Sequence, residues 1–252
     1  MDIKFHCDSK SVFENENIPI RAFLYSDYHI ESHNHDFYEI NIVIKGKGIH
    51  KIENTSIMAK TGDVFVIPPM VVHAYYNTEN LDVCHILVHK NFVMENEYEA
   101  VHMPGFLQFM EIEPFLREHF SDNMFLNLSV GQLQQLKSEL SFIMDGSKYD
   151  REEFLPLKKH ATLKIIYWLS GLLYEQLNSK NKKALNEYEH EIIRIIEYMH
   201  QNYGEKITID VLCKKVHLSR STFLRNFYNV CGCTPIQYLS KYTAYRAQCA
   251  VY

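Results

Sequence analysis

The sequence predicts an α+β multidomain protein: an N-terminal β-barrel or double-sheet jelly roll, then helices, then an all-α helix-turn-helix domain. Three observations carry this. Residues 20–89 alternate short β-branched and aromatic runs with turn signals, as a closed double-sheet architecture requires. Residues 129–203 carry apolar stripes at helical spacing. Residues 207–246 hold two short capped helical patterns separated by a tight turn.

Composition sets the bounds. The 252 residues, 46% hydrophobic and 23% charged, suffice for more than one buried core and exclude a disordered chain. Met1 is followed by Asp2, Lys4, Asp8 and Lys10 instead of an apolar signal core, and no run is long enough to cross a bilayer. The expected location is therefore the cytoplasm, with no membrane partner. The six cysteines (Cys7, Cys84, Cys213, Cys231, Cys233 and Cys249) show no framework spacing and read as free thiols. Cys231-Gly232-Cys233 is no zinc or redox motif, because no further Cys/His spacing supports it. From Gln201 onward seven Lys and Arg stand against two acids, a local charge of +5 that leaves −10 for the rest of a chain whose net charge is −5. Such segregation suits a phosphate-binding module joined to an acidic partner domain.

In the barrel region the runs IRAFLY, FYEINIVI, GDVFVIPP, VVHAYY and DVCHILV read as strands, and Lys45-Gly46-Lys47-Gly48, Thr61-Gly62-Asp63 and Pro68-Pro69 as turns. On one strand His33, His35 and Glu39 share a face by parity, and a hairpin partner could bring His73 beside them. Three imidazoles and a carboxylate suit a first-row divalent ion: Zn, Ni, Fe or Mn. The plain alternative is that the four are pocket polar groups, with no cofactor required. Arg21, Tyr25, Asn41 and Tyr75 are the other inward-parity candidates for a small-molecule pocket, and each could equally be ordinary packing. His33-x-His35-(x)3-Glu39-(x)6-Gly46 and Gly62-(x)5-Pro68-x-Met70-(x)2-His73-(x)3-Asn77 together resemble the two motifs of the cupin superfamily. Asp27 and Met70 stand where that pattern has glycine.

Residues 90–128 read as loop and short helix on the barrel, broken at Pro104-Gly105 and Pro114, with Phe106, Phe109, Phe115, Phe120 and Phe125 demanding burial. Ser129 and Gln132 form a capping-box pattern for a helix with Leu133, Leu136, Leu140 and Ile143 on one stripe, ending near Asp145-Gly146. Asp150 opens a longer helix whose face carries Ala161, Ile165, Leu169, Leu172 and Leu173. That stripe either covers the barrel or forms a dimer interface, and the width added by Ile166 and Trp168 favours the dimer. Residues 178–183 are polar and aperiodic, a linker, and Glu187 to Tyr203 is amphipathic through Ile192, Ile195, Ile196 and Met199.

Thr208 caps a helix with Leu212, Cys213 and Val216 on its inner face, His217-Leu218 turns, and Ser219 caps a second helix. There Phe223 and Phe227 face inward, which leaves Arg220, Ser221, Leu224 and Arg225 on the opposite side, and Gly232 ends the helix. Ile207, Thr208, Leu212, Ser219, Phe223, Phe227, Gly232, Thr234, Pro235, Tyr238, Arg246 and Ala250 together resemble the first helix-turn-helix and linker helix of the AraC/XylS family of bacterial transcription regulators. Cys213 replaces an alanine of that pattern and His217 a glycine.

The resemblance implies a cupin-like effector barrel (1–90), a helical connector and dimerisation region (91–178), a linker (179–186) and a DNA-binding domain (187–252). It implies an effector-responsive, sequence-specific regulator that senses a small polar molecule, such as a sugar, and binds double-stranded DNA as a homodimer. On the DNA side it implies base-edge contacts from Ser221, Leu224 and Arg225 beside the cap Ser219, and phosphate contacts from Lys214, Lys215, Arg220 and Arg246. In that family a second helix-turn-helix follows the linker helix, and residues 187–252 carry only the first and the start of the linker. Two alternatives stand beside this reading: a metal-dependent cupin enzyme acting on a small metabolite, and a sensing and dimerising fragment that does not bind DNA alone.

Overall fold

The structure is a computed structural model that describes residues 2–13, 18–100, 103–116, 125–180 and 187–251. Eight strands form one curled sheet: β1 (Phe5–Cys7), β2 (Ile20–Tyr25), β3 (Ile30–His35), β4 (Tyr38–Ile52), β5 (Thr55–Lys60), β6 (Asp63–Ile67), β7 (His73–Val88) and β8 (Leu126–Asn127). A one-turn helix, α1 (Ser9–Val12), lies between the first two. The long strands β4 and β7 pair antiparallel from Tyr38 opposite Val88 to Ile52 opposite His73. Because β7 also pairs with β2 and β3, and β4 with β5 and β6, the sheet rolls on itself into the expected jelly roll.

Two sequence expectations change here. VVHAYY and DVCHILV are halves of the single strand β7, and Lys45-Gly46-Lys47-Gly48 is not a turn but part of β4. The reason is a bulge shared by the two long strands: their register shifts between Val43 and Ile49, with Gly46 at φ 81°, Asn77 at 51° and Asn80 at 46°. A Cβ at Gly46 would lie 2.1 Å from the Asn80 carbonyl oxygen, so the close approach needs glycine. The chain reverses instead at Glu53, with φ 50°.

Both faces of β4 are buried. Ile40 and Ile42 face outward under the helices, whereas Val43 joins Ile52, Phe65, Ile67, Tyr75 and Val83 inside the barrel. The connector comprises α2 (Lys90–Ala100), a π-helical turn (Gln108–Ile112), α3 (Glu113–Leu116), β8, α4 (Val130–Leu140) and α5 (Leu155–Lys180). Its β8 pairs with β6, so the barrel takes its last strand from beyond residue 90. The capping box at Ser129 forms as expected. The second long helix starts at Leu155 and not at Asp150, whose carboxylate accepts from the Gly146 N–H and the buried Lys158 ammonium instead. Ala161, Ile165, Ile166, Leu169 and Leu173 are buried within the chain, so this stripe covers the barrel and is not free to form a dimer interface.

The last four helices are α6 (Glu187–Gln201), α7 (Ile209–Lys215), α8 (Arg220–Cys231) and α9 (Pro235–Val251). One continuous apolar cluster runs from Ile20, Ile40 and Ile86 of the barrel through Phe109, Leu136 and Leu169 to Ile192, Leu212, Phe227 and Tyr242. The expected burial of Phe115 and Phe120 and the linker residues 181–186 lie outside the described residues, whereas residues 178–180 of the expected linker continue α5.

Candidate functional site

At the centre of the barrel lies a buried carboxylate surrounded by imidazoles. His33 and His35 end β3, the chain bends at Asp36-Phe37, and Glu39 follows on β4, so the three sit on consecutive strands and not on one. His73 starts β7 directly opposite His33. Glu39 Oε2 lies 2.9 Å from His35 Nε2 and 3.2 Å from His73 Nε2, and Oε1 lies 2.5 Å from His85 Nδ1. Burial alone would raise the Glu39 carboxyl, but His35, His73 and His85 outweigh it and hold the group well below the usual carboxylate range. Burial brings His33 down to about 4, with His73 adding to the drop, and burial lowers His73 as well.

This donor set fits a metal. His33, His35 and His73 each put Nδ1 against a backbone carbonyl, at 2.9 Å from Glu31, 2.8 Å from Phe37 and 3.4 Å from Val71. A carbonyl only accepts, so Nδ1 carries a proton and Nε2 is the atom left to face Glu39 or a metal ion. Nε2 of His35 and of His73 is buried with Glu39 Oε2 as its neighbour, and either a second proton on the ring or a bound cation joins nitrogen to oxygen there. Ligand atoms of His33, Glu39 and His73 all fall within 4.8 Å of one another. Such a group is what Zn, Ni, Fe or Mn binds.

A cleft of about 280 Å³ opens from this cluster toward β2, lined by Arg21, Phe23, Tyr25, Tyr28, His33, His35, Glu39 and His85 and closed on one side by Cys7, Ser11 and Val12. The His85 ring packs 5.3 Å from Phe23 and 4.6 Å from Tyr28. Arg21 and Tyr25 thus lie where a pocket was expected, although Arg21 also donates to Asp145 at 2.5 Å and to the Val12 carbonyl at 2.9 Å. Tyr75 does not line the cleft: it is stacked on His50 at 3.9 Å inside the packed interior. Asn41 lies behind the cleft, opposite His85 in register, and its buried amide makes no hydrogen bond among the described residues. His85 escaped the sequence reading because it belongs to neither cupin motif. Its odd position in an alternating strand, matching His73, was the available signal.

The helix-turn-helix forms as the caps dictate. Thr208 accepts from the Val211 N–H, Ser219 from the Thr222 N–H, and Gly232 takes φ 64°. Asp27, Met70 and His217, standing where the family patterns have glycine, adopt φ 52°, 68° and 52°, so the turns persist at about 1–2 kcal/mol of strain each. Ser219, Ser221, Arg225, Lys214, Lys215 and Arg220 are exposed, with Lys215 lying 3.9 Å over the Tyr198 ring and Arg220 3.0 Å from Asp210. Leu224 is half-buried against the module's core, which leaves only part of it for a groove. Arg246 is a correction: its side chain is 10% exposed and its guanidinium pairs with Glu111 at 2.9 Å, so it is not a surface cation waiting for phosphate. The five described cysteines are free thiols, and no described helix is long and apolar enough to cross a membrane.

A cleft inside a jelly roll, joined through one apolar core to a capped helix-turn-helix, defines a DNA-binding regulator that carries its own effector domain. Two family descriptions match in that order: AraC-like ligand binding domain over residues 21–153, and bacterial regulatory helix-turn-helix proteins, AraC family, over residues 199–240. The first alone spans more than half of the chain, and the protein belongs to the AraC family. It is similar to the HTH-type transcriptional activator RhaS of Yersinia pseudotuberculosis serotype I (strain IP32953), at 24% identity over 83% of this chain and 70% of that protein. RhaS of Yersinia pestis (strain Pestoides F) matches at the same identity and coverage. Among solved structures, an apo form of ToxT from Vibrio cholerae overlays on 88% of this chain and 97% of its own at a TM-score of 0.36 and 12% identity. The protein is therefore an effector-responsive transcription regulator that binds DNA through its helix-turn-helix.

Proposed function

We propose that a small polar molecule, with sugars the first class to test, binds in the cleft at Arg21, Tyr25, His33, His35, Glu39 and His85 and alters DNA binding by a cytoplasmic homodimer. The observation that carries this is the polar lining of the cleft, where Arg21, Tyr25, His33, His35 and His85 gather beside the Glu39 carboxylate and His85 Nε2 is buried with no hydrogen bond among the described residues. Such a group costs about 1–3 kcal/mol if left unsatisfied, and a ligand hydroxyl in the cleft satisfies it. The divisions 1–90, 91–178, 179–186 and 187–252 serve as the working domain scheme. The helix-turn-helix within residues 187–252 by itself neutralises few phosphates, which favours dimeric binding. The test is DNA retardation on the protein's own upstream region with and without candidate sugars. An affinity that ignores every sugar would remove that ligand class, and no retardation even at low salt would sink DNA binding by these residues.

A divalent Zn, Ni, Fe or Mn held by His33, His35, Glu39 and His73 would supply a Lewis-acidic anchor for a ligand oxygen. The chain's own part is to fix each Nδ1 on a carbonyl and to exclude water from Glu39. Metal-free protein dialysed against zinc should retain about one equivalent, and His73→Ala should lose it, read by elemental analysis. The barrel is assigned no reaction. Steady consumption of a metabolite by metal-loaded protein would reverse that assignment.

On the DNA, Arg225 is the best-placed base reader, because it is exposed on α8 with no ion pair among the described residues. Arg225→Ala should relax preference at one base pair by about 1–3 kcal/mol, whereas Lys215→Ala should weaken specific and random duplexes alike. Equal losses on both duplexes for Arg225→Ala would remove the base-reading role.

A further inference from the structure

The π-helical turn Gln108–Ile112 is the one place where the connector grips the DNA-binding module through buried polar groups among the described residues. A π turn is rare and widens the helix, and here it aims two side chains at α6. Gln108 Nε2 donates to Glu197 Oε1 at 3.0 Å, and one turn on, Glu111 Oε2 lies 3.1 Å from His200 Nδ1. Glu111 also accepts from the Tyr242 hydroxyl and, at 2.9 Å, from Arg246 Nη1, both on α9. The His200 ring lies flat on Tyr242 at 3.7 Å and 8°, and its Nε2 is 2.9 Å from the Tyr238 hydroxyl. Arg246 is further covered by the Tyr203 ring at 5.1 Å. All three groups that meet the Glu111 carboxylate thus come from the DNA-binding module. Burial would raise this carboxyl, but His200, Arg246 and Tyr242 outweigh it and hold it ionised below its ordinary range.

We propose that Glu111 is a positioning residue for DNA binding: it docks α6 and α9 onto the connector and withholds Arg246 from the phosphate-binding set. This goes beyond the effector reading and rests only on DNA binding by the module. A buried carboxylate whose partners all belong to the other domain makes the docked arrangement discrete, since undocking leaves two opposite charges unpaired at once. A shift of the connector on the barrel therefore reaches the recognition helix through the π turn without a flexible intermediary.

The experiment is the salt dependence of binding to a duplex of random sequence, with the full chain, between about 50 and 200 mM salt, where each phosphate contact contributes about 0.9 to the slope. Arg246→Met should leave the wild-type slope unchanged. Glu111→Gln, which keeps the size of the group and removes its charge, should steepen the slope by about 0.9, and Arg246→Met in that background should abolish the gain. A merely structural role lowers the melting temperature and leaves slopes untouched. A wild-type slope that falls with Arg246→Met, or a folded Glu111→Gln with an unaltered slope, overturns the proposal. Should Glu111→Gln not fold, Glu111→Met, which removes the charge without leaving an amide to be satisfied, takes its place with the same expected sign. If neither wild type nor variant binds the duplex, the DNA-binding function falls together with this inference.

Discussion

Phe227→Ala is expected to abolish DNA binding while the barrel stays folded. Phe227 is fully buried, and its ring meets Phe223 and Tyr238 edge-on, each at a centroid distance of 5.7 Å, so it ties α8 to α9. Truncating a buried phenylalanine costs about 3–5 kcal/mol, a large share of the roughly 5–15 kcal/mol that holds a whole domain. The loss falls on α8, whose orientation depends on that contact. Among the described residues the barrel interior has no member from the module, since its cluster runs from Tyr28 to Phe125. Circular dichroism should lose helical signal with strand signal retained, DNA retardation should vanish, and zinc uptake should persist. Wild-type affinity in the variant would show that α8 does not need this packing.

Glu39→Gln should have the second large effect, confined to the other end of the molecule. The amide keeps the shape of the side chain and can still accept from His85, but it removes the charge that His35, His73 and His85 face. Metal affinity should fall by about 100-fold or more, as for loss of an inner ligand, and any effector response should go with it. Replacing a charged hydrogen bond by a neutral one should cost about 1–2 kcal/mol of stability. Random-sequence DNA affinity should not change, because Glu39 makes no contact with the helix-turn-helix. Zinc uptake equal to wild type would remove the cluster as a metal site.

Much of this was legible in the chain. Thr208, Ser219 and Gly232 announce helix ends by local chemistry that needs no partner, and the structure uses all three as caps. The strand runs were legible for the same reason, since alternation reports burial directly. The Lys45–Gly48 stretch misled because glycine marks a bulge as readily as a turn, and only the carbonyl of Asn80 across the sheet decides which. The start of the long helix was misplaced because Asp150 looks like a cap until Lys158 and Gly146 are seen to occupy it.

The sequence by itself determined the fold class, the order of the domains, the helix-turn-helix and four polar residues of the barrel centre, because each is written in local spacing. Only the tertiary structure decided which side chains meet across the chain. It added His85 to the Glu39 cluster, moved Tyr75 out of the cleft and turned Arg246 from a phosphate contact into the partner of Glu111, which lies 135 positions before it. The physical reason is that charge and hydrogen-bond pairing depend on distance in space, while spacing along a chain reports only the face on which a residue lies.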